Sequence, residues 1–444
     1  MSMNIWETIK KHAFKYVVGS LVASITALLM TKYYTSVLSP SDFGILAMYL
    51  LMFKYITIFC SMDMQSGSTR LYFDYEGKEK YEYINTIAIL ITIISAIVFV
   101  FGISLQSYIS PWIEVEGNAS YILVIFSGII SVYVTFFTRI LVNEQKSSLV
   151  MKSTLVQTFC NHSTSAYLMY IMQNGIFSRL LGQSIALVAG FFIVYKDLGK
   201  FKLTKFYFCF NKSMAKETVK LSFPTMLATL QTLVFSYLDR IFLKYFNGDY
   251  AVGVYSLGFI LGQGISIIYE SIAQSILPRV YSGLNENYEK SRSELETFSF
   301  YYYIALLFIT IFTTYLSPFI IKFFSNDNYI DSSLVLPFIV VGFMIAGFYK
   351  IPALMLSFHK LVWFYPILAF ASFGVNAVLN WLLIPSFGVV GAAFSSFVGL
   401  YLYSISLQLL AFKYFSVKYR FFVSLIYCAV LLFVVIGFFE VKVR

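Results

Sequence analysis

The feature that most constrains this chain is a series of thirteen apolar segments, each about as long as a membrane-spanning helix. A helix needs roughly 20 mainly apolar residues to cross the hydrocarbon layer. Twelve of the segments lie near residues 17–37, 43–64, 84–106, 119–138, 153–173, 180–195, 221–243, 251–277, 298–321, 332–356, 361–384 and 389–412, and the thirteenth lies at 421–439. Only 12% of the residues are charged, about half the usual share in a soluble domain. The pattern excludes a soluble enzyme, a secreted disulfide scaffold and a disordered chain, and it leaves no room for a sizeable catalytic domain outside the membrane.

The distribution of positive charge predicts how the chain is oriented. Loops on the N-terminal side of the membrane carry 24 Lys and Arg residues, whereas the opposite side carries 5. Because Lys and Arg concentrate on cytoplasmic loops, this asymmetry predicts a cytoplasmic N-terminus. The net charge of +10 is therefore mainly a topology signal and gives no reason to expect nucleic acid as a partner. The first apolar run is long enough to span, so we interpret it as an uncleaved first helix and not as a signal peptide.

The two halves of the chain are similar to each other. SDFGILAMYL (41–50) and DYAVGVYSLG (249–258) align on Gly44 and Gly253, which are 209 positions apart. Six spans per half predict parallel repeats, the arrangement of many alternating-access transporters. We therefore predict an all-α membrane protein of two six-helix bundles.

The predicted domains follow from this repeat. They are an N-terminal lobe (1–200), a basic cytoplasmic linker (201–220), a C-terminal lobe (221–412), and a basic loop with the extra apolar segment (413–444). Whether residues 421–439 span the membrane, re-enter it or lie in its interface is left open, although a span is slightly favoured. Cys and His residues show no metal-ligand spacing, so we expect neither a metal nor another cofactor.

Two of the predicted spans carry polar stripes. Lys54 lies midway along the second span, too deep for its ammonium to reach the headgroups easily, and it shares a helical face with Ser61 and Gln65. Gln263, which is equivalent to Lys54 in the repeat, shares a face of the eighth span with Ser266 and Glu270. A common polar cavity would require such a pair of stripes, while a polar seam between helices is the alternative.

Other ionisable residues within spans have simpler alternatives. Lys32 and Lys350 are close enough to helix ends to extend to the headgroups. Asp239 and Arg240 could form a local ion pair, and Asp63 could lie at the membrane surface. The functional alternative for each of them is a role in a polar cavity.

Three segments resemble the polysaccharide flippases of the multidrug/oligosaccharidyl-lipid/polysaccharide (MOP) superfamily. They are LSPSDFGILAMYL (38–50), SYLDRIFLKYFNGDYAVGVYSLG (236–258) and NAVLNWLLIPSFGVVGAAFSS (376–396). The stretch 69–75 is also similar to an Arg-Tyr-Tyr stretch of these proteins, with Leu71 where an aromatic residue is commoner. The resemblance covers residues 1 to about 412 and implies a V-shaped fold like that of the MATE transporters. The thirteenth segment departs from the usual twelve or fourteen spans.

Similarity to Wzx-type O-antigen flippases implies a substrate and a location. The substrate would be an undecaprenyl-pyrophosphate-linked oligosaccharide for O-antigen, capsule or exopolysaccharide, translocated across the bacterial inner membrane. Lys54 and Lys32 could neutralise the pyrophosphate with Gln263 nearby, and Arg70 and Arg279 could receive the headgroup at the inner mouth. The resemblance also implies coupling to a proton or sodium gradient, for which Asp63, Asp239 and Glu270 are the acidic candidates. Other polysaccharide-assembly proteins are possible partners.

Two other functions compete with this interpretation. A multidrug extruder of the same superfamily would share the fold, but its cationic substrates favour an acidic cavity, which Lys54 argues against. A membrane glycosyltransferase or polymerase would need a long outer loop with catalytic residues, and the outer loops here have about a dozen residues or fewer. We therefore predict a transporter and not an enzyme.

Overall fold

The computed structural model describes residues 5–113, 118–200, 210–361 and 363–443, and within them the secondary structure is helical with no strand. The fourteen helices in these ranges are α1 (Ile5–Val37), α2 (Pro40–Ser61), α3 (Met64–Leu71), α4 (Gly77–Ser104), α5 (Gln106–Ile113), α6 (Asn118–Asn143), α7 (Ser147–Met172), α8 (Gly175–Lys200), α9 (Lys212–Glu286), α10 (Tyr288–Tyr315), α11 (Ser317–Phe324), α12 (Ser332–Phe358), α13 (Phe364–Ala411) and α14 (Val417–Val443). Two short 3₁₀ turns lie at Asp327–Tyr329 and Phe412–Tyr414. The all-α fold class is thus confirmed.

Nine helical segments in the described ranges are long and apolar enough to cross a membrane. Two of the nine, Ser236–Ile267 and Phe364–Tyr414, each cover parts of two predicted spans. The first and fifth predicted spans, at 17–37 and 153–173, are helical but are not among the nine. The count of twelve core spans and a thirteenth therefore stays a prediction.

Two glycines interrupt the longest helices. Gly248 has φ 76° and ψ −173° within α9, and Gly388 has φ 52° and ψ −130° within α13. Residues with a Cβ rarely adopt positive φ, so glycine is suited to both breaks. Residue 248 is 209 positions after residue 39, where the chain breaks between α1 and α2. The break in α9 thus occupies the position that the repeat predicts.

The chain forms two compact units. The first unit comprises residues 1–38 and 45–237, and the second comprises residues 39–44 and 238–444. In the first unit α7 packs against α1 and α8, and α6 packs against α8. In the second unit α12 packs against α10 and α13, and α14 packs against α13. The division falls inside α9, whose first part, from Lys212 to Tyr237, belongs to the first unit.

Exposed apolar side chains mark surfaces that suit a lipid environment. On α10 these side chains recur every three or four residues along one face, and they are Tyr301, Ile304, Phe308, Ile311, Phe312 and Tyr315. By contrast, α12 is apolar and largely buried, and it forms the centre of the second unit's core with residues such as Leu336, Ile345 and Phe348. Apolar faces turned outward around a packed core are the arrangement expected of a membrane protein.

Candidate functional site

Lys54 lies on the exposed surface of α2 in the first unit. Among the described residues its ammonium has no hydrogen bond or ion pair, and the centroid of the Phe53 ring lies 5.9 Å from it. One turn later, Ile58 is buried against Met226 and Leu233 of α9. The apolar contact fixes this face of α2 and leaves the lysine uncovered, so its positive charge is available to an anion.

The polar stripe that the sequence predicts for α2 is not a continuous helical face. The helix ends at Ser61, and both Met62 and Asp63 have positive φ. Ser61 is buried and donates its hydroxyl hydrogen to the carbonyl of Ile58, 3.2 Å away. Gln65 belongs to the separate helix α3. Lys54 is therefore the exposed member of the predicted set on α2.

Asp63 is part of the turn between α2 and α3. Its carboxylate accepts a hydrogen bond from the Ser66 hydroxyl (2.9 Å), and its backbone amide donates to the Ser61 hydroxyl (3.2 Å). The side chain is buried, and its position at the membrane surface or in a polar cavity stays a prediction. These contacts hold a left-handed turn, a conformation that Asp tolerates better than most residues.

The stripe on α9 is present in the second unit. Gln263 is exposed, and Ser266 and Glu270 are partly exposed. A carboxylate oxygen of Glu270 lies 2.5 Å from the Lys350 ammonium of α12. Lys350 also lies 5.6 Å and 5.3 Å from the ring centroids of Tyr269 and Tyr349. From the sequence, Lys350 could extend to the headgroups or lie in a polar cavity, and its pairing with Glu270 was not predicted. The sequence does not show that α9 and α12 are neighbours at this point.

Asp239 lies in a buried hydrogen-bond network of the second unit. One carboxylate oxygen accepts from the Asn380 amide (2.5 Å), and the other accepts from the Tyr255 hydroxyl (2.5 Å) and from the Ser396 hydroxyl. Asn376, one turn before Asn380, accepts from the Asn380 amide at 3.3 Å. The network joins the middle of α9 to both halves of α13. A carboxylate is costly to bury unless donors such as these satisfy its oxygens.

Arg240 has partners of its own in the second unit. Its Nε donates to the Ser256 hydroxyl (3.0 Å), and its guanidinium carbon lies 4.6 Å from the centroid of Phe259. The guanidinium is thus held by a hydroxyl and a ring face, a common environment for a buried Arg. Asp239 and Arg240, although adjacent in sequence, each form hydrogen bonds with residues 16 or more positions away in the chain.

The remaining cationic candidates are less informative. Lys32 is exposed on α1. Arg70 and Arg279 lie outside the described side chains. The structure thus brings Glu270 together with Lys350, and Asp239 with Asn380. Lys54 is exposed on α2 of the first unit.

The residues missed by sequence reasoning are mostly neutral. Asn376 and Asn380 belong to the segment 376–396 that resembles the flippases, and they are spaced by four in an apolar helix, so they share one face. That spacing is a signal for a polar contact across helices. A second missed group lies in the first unit, where the Tyr34 hydroxyl contacts His162 Nδ1 at 2.7 Å and the Arg179 guanidinium donates to Asn161 at 2.7 Å.

Comparison with known sequences supports a common origin for most of the chain. A family model described as polysaccharide biosynthesis protein matches residues 9–283. An uncharacterized membrane protein of Methanocaldococcus jannaschii, MJ1068, is 20% identical over 414 residues. That alignment covers 88% of this chain and 80% of the archaeal protein.

Comparison with solved structures shows a shared fold. The lipid II flippase MurJ in an inward closed conformation matches with a TM-score of 0.74 and 16% identity, covering 96% of this chain and 92% of MurJ. An inward-facing multidrug resistance MATE family transporter of the MOP superfamily matches with a TM-score of 0.65 and 14% identity, covering 89% and 97% of the two chains. The Vibrio cholerae MATE transporter VcmN in its bent form matches with a TM-score of 0.59 and 14% identity, covering 92% and 98%.

Proposed function

The chain belongs to the polysaccharide biosynthesis protein family, and on that premise we propose that it translocates a lipid-linked oligosaccharide between the leaflets of a membrane. The finer proposal is that the lipid carrier is undecaprenyl pyrophosphate and that the glycan is an O-antigen, capsule or exopolysaccharide repeat unit. We place the protein in the bacterial inner membrane with a cytoplasmic N-terminus. Transport by alternating access needs no covalent chemistry, so the side chains act by binding and releasing charge.

The observation that best supports an anionic substrate is the state of Lys54. An ammonium within an apolar helix costs on the order of 3 kcal/mol near the bilayer centre, so it is retained only where it has a use or a partner. Lys54 is exposed and has no carboxylate partner among the described residues. A pyrophosphate headgroup would supply the missing negative charge. An extruder of organic cations would be disfavoured by the same lysine.

Ion coupling is the second part of the proposal. Among Asp63, Asp239 and Glu270, Asp239 has the environment best suited to carry a proton or a sodium ion. It is 2% exposed, and its donors are neutral groups. A cation that entered this network would neutralise the carboxylate and change which donors it holds, thereby altering the contacts of α9 with α13. Asp63 supports a turn, and Glu270 already has a cation beside it.

Proteoliposomes that contain the purified protein and a fluorescent undecaprenyl-pyrophosphate oligosaccharide test the proposal, with translocation measured by leaflet-selective quenching. We expect Lys54→Ala to abolish translocation at unchanged protein level, and Lys54→Arg to restore part of it. Lys322→Ala, an exposed lysine on α11, is the matched control and should transport normally. Wild-type translocation in the Lys54→Ala variant would contradict the role of this lysine, whereas expulsion of organic cations without lipid translocation would support the extruder instead.

A further inference from the structure

We propose that Lys350 is a second binding point for the anionic headgroup and that Glu270 is a displaceable lid on it. Before the substrate binds, the Glu270 carboxylate forms an ion pair with the Lys350 ammonium. The phosphate groups of the substrate then replace the carboxylate as the partner of the ammonium. This inference rests on the proposed function, since it assumes a phosphate-bearing lipid. It adds a binding residue in the second unit and explains why an ion pair is retained there.

The position of Lys350 is fixed by its surroundings on α12. Pro352 has no backbone N–H, so it cannot donate to the carbonyl of Phe348 four residues earlier. The Tyr303 hydroxyl donates to that carbonyl instead, at 2.9 Å, and the Tyr302 hydroxyl donates to the Gly347 carbonyl at 3.1 Å. Both tyrosines lie on α10 and are buried. The helix that presents the lysine is therefore rigidly held at the turn where the lysine lies.

The ammonium itself is confined by aromatic rings. The ring centroids of Tyr269 and Tyr349 lie 5.6 Å and 5.3 Å from it, and Tyr269 is buried against Gly347. Ring faces attract a cation and restrict its movement without neutralising its charge. An ammonium confined in this way stays in place when its carboxylate leaves. It is therefore preorganised for another anion.

Glu270 has more freedom than its partner. Its side chain is 45% exposed, against 22% for Lys350, so fewer neighbouring atoms restrain the carboxylate than restrain the ammonium. A pyrophosphate carries more negative charge than a carboxylate and offers several oxygens, so its attraction to the ammonium is greater at equal distance. Exchange of one anion for the other keeps the lysine neutralised throughout.

The repeat makes this pair specific to the second half of the chain. At an offset of 209, Glu270 corresponds to Ser61 and Lys350 corresponds to Leu141. The first unit thus presents an uncovered lysine at position 54, and the second presents a covered one at position 350. Binding of a headgroup at Lys350 therefore requires displacement of Glu270, whereas binding at Lys54 requires no such exchange.

Equilibrium binding of undecaprenyl pyrophosphate to the purified full-length protein in detergent tests the inference. Inorganic pyrophosphate is a second probe, which shows whether the headgroup alone is recognised or the lipid is also required. We expect Glu270→Gln to bind about tenfold more tightly than wild type and Lys350→Gln about tenfold more weakly. The double variant should bind with the same affinity as Lys350→Gln, because removal of the Glu270 charge has no effect on binding once Lys350 is absent. Glu289→Gln, which removes an exposed carboxylate from α10, should bind like wild type.

The outcomes separate this inference from the proposed function. If wild type binds the lipid, Lys54→Gln abolishes binding and Glu270→Gln leaves affinity unchanged or lowers it, then the lid is wrong and the proposed function stands. If the double variant still binds the lipid more tightly than wild type, as expected for Glu270→Gln alone, Lys350 is not the residue that binds the headgroup. If the wild-type chain binds neither probe, both proposals fail. Thermal unfolding of each variant shows whether a loss of binding is a loss of fold.

Discussion

Gly44 and Gly253 pack against each other in a symmetric contact within the second unit. A Cβ on Gly44 would lie 3.0 Å from the amide nitrogen of Gly253, and a Cβ on Gly253 would lie 3.1 Å from the amide nitrogen of Gly44. Each would also overlap a carbonyl oxygen of the opposite helix, that of Asp249 for Gly44 and that of Pro40 for Gly253. Residues 40 and 249 are themselves separated by 209 positions. The contact therefore maps onto itself when the two repeats are exchanged.

Alanine at either glycine should destabilise the protein. Because the added methyl group meets backbone atoms and not flexible side chains, the helices must move apart, and overpacking of this kind costs about 1–3 kcal/mol or more. Gly264→Ala is the matched control, since a Cβ there has nothing within 4 Å and alanine favours a helix. Thermal unfolding of the solubilised protein measures the effect. A Gly253→Ala variant as stable as the Gly264→Ala variant would contradict the close contact.

The C-terminal helix α14 should contribute to the stability of the second unit. The buried Tyr427 hydroxyl lies 2.5 Å from the Ser404 hydroxyl of α13, which in turn donates to the Ile345 carbonyl (2.7 Å). Tyr427→Phe removes the donor to Ser404 and should lower the free energy of unfolding by about 1 kcal/mol. Tyr315→Phe, at an exposed tyrosine of α10, should have no measurable effect. Equal melting temperatures for the two variants would show that α14 is not packed as described.

Protonation of His359, which lies just beyond the end of α12, should lower the stability of the protein at acidic pH. Its ring stacks on Tyr414 at 3.8 Å, and the Tyr288 hydroxyl lies 3.2 Å from its Nε2. Burial and, to a smaller extent, the charge of Lys413 lower the pKa of His359 below 6.5. The folded state thus favours the neutral ring.

The sign of the pH effect follows from that direction. The stabilisation by the neutral His359 ring is fully present above the unfolded pKa of about 6.5, and it is lost as the pH falls through the lower folded pKa. It is lost because the unfolded chain binds the proton more readily than the folded protein does. His359→Phe keeps the stacking and removes the titration. Its melting temperature should depend less on pH between pH 7.5 and pH 5 than that of wild type. Parallel curves for the two proteins would contradict the assignment.

The sequence predicted the fold class because the apolar segments are long and occur thirteen times along the chain. Each apolar run exceeds the length of an ordinary buried strand, so periodicity and length agree on helices. The equivalence of Gly44 and Gly253 was also visible, since glycine is rare enough in such segments to anchor an alignment. The end of α2 at Ser61 was not predicted, because Met62 and Met64 are apolar on either side of Asp63 and no Pro or Gly marks the turn.

The candidate site was predicted less completely than the fold. Residue types within a span identified Lys54, Asp239 and Glu270 as unusual, since charge is costly there. The partners of the two acidic residues could not be found in the same way. Lys350 reaches Glu270 from 80 positions away, and Asn380 reaches Asp239 from 141 positions away. Such contacts depend on which helices are neighbours, and one sequence does not give that information.

The network around Asp239 allows the coupling role to be separated from a structural one. Asp239→Asn places an amide where three donors point, so at least one hydrogen bond is lost and stability should fall by about 1–3 kcal/mol. The same substitution removes the charge that would attract a cation. We therefore expect translocation in proteoliposomes to stop responding to imposed proton or sodium gradients.

Tyr255→Phe distinguishes the two effects. It removes one hydrogen bond to Asp239 (2.5 Å) and leaves the carboxylate charged, so it should lower the melting temperature while the gradient response remains. Asp331→Asn, which alters a carboxylate that accepts from the Tyr250 hydroxyl (3.0 Å) before α12, should change neither property. If Asp239→Asn retains the wild-type gradient response, the carboxylate serves only to join α9 to α13. In that case the coupling ion must bind elsewhere in the chain.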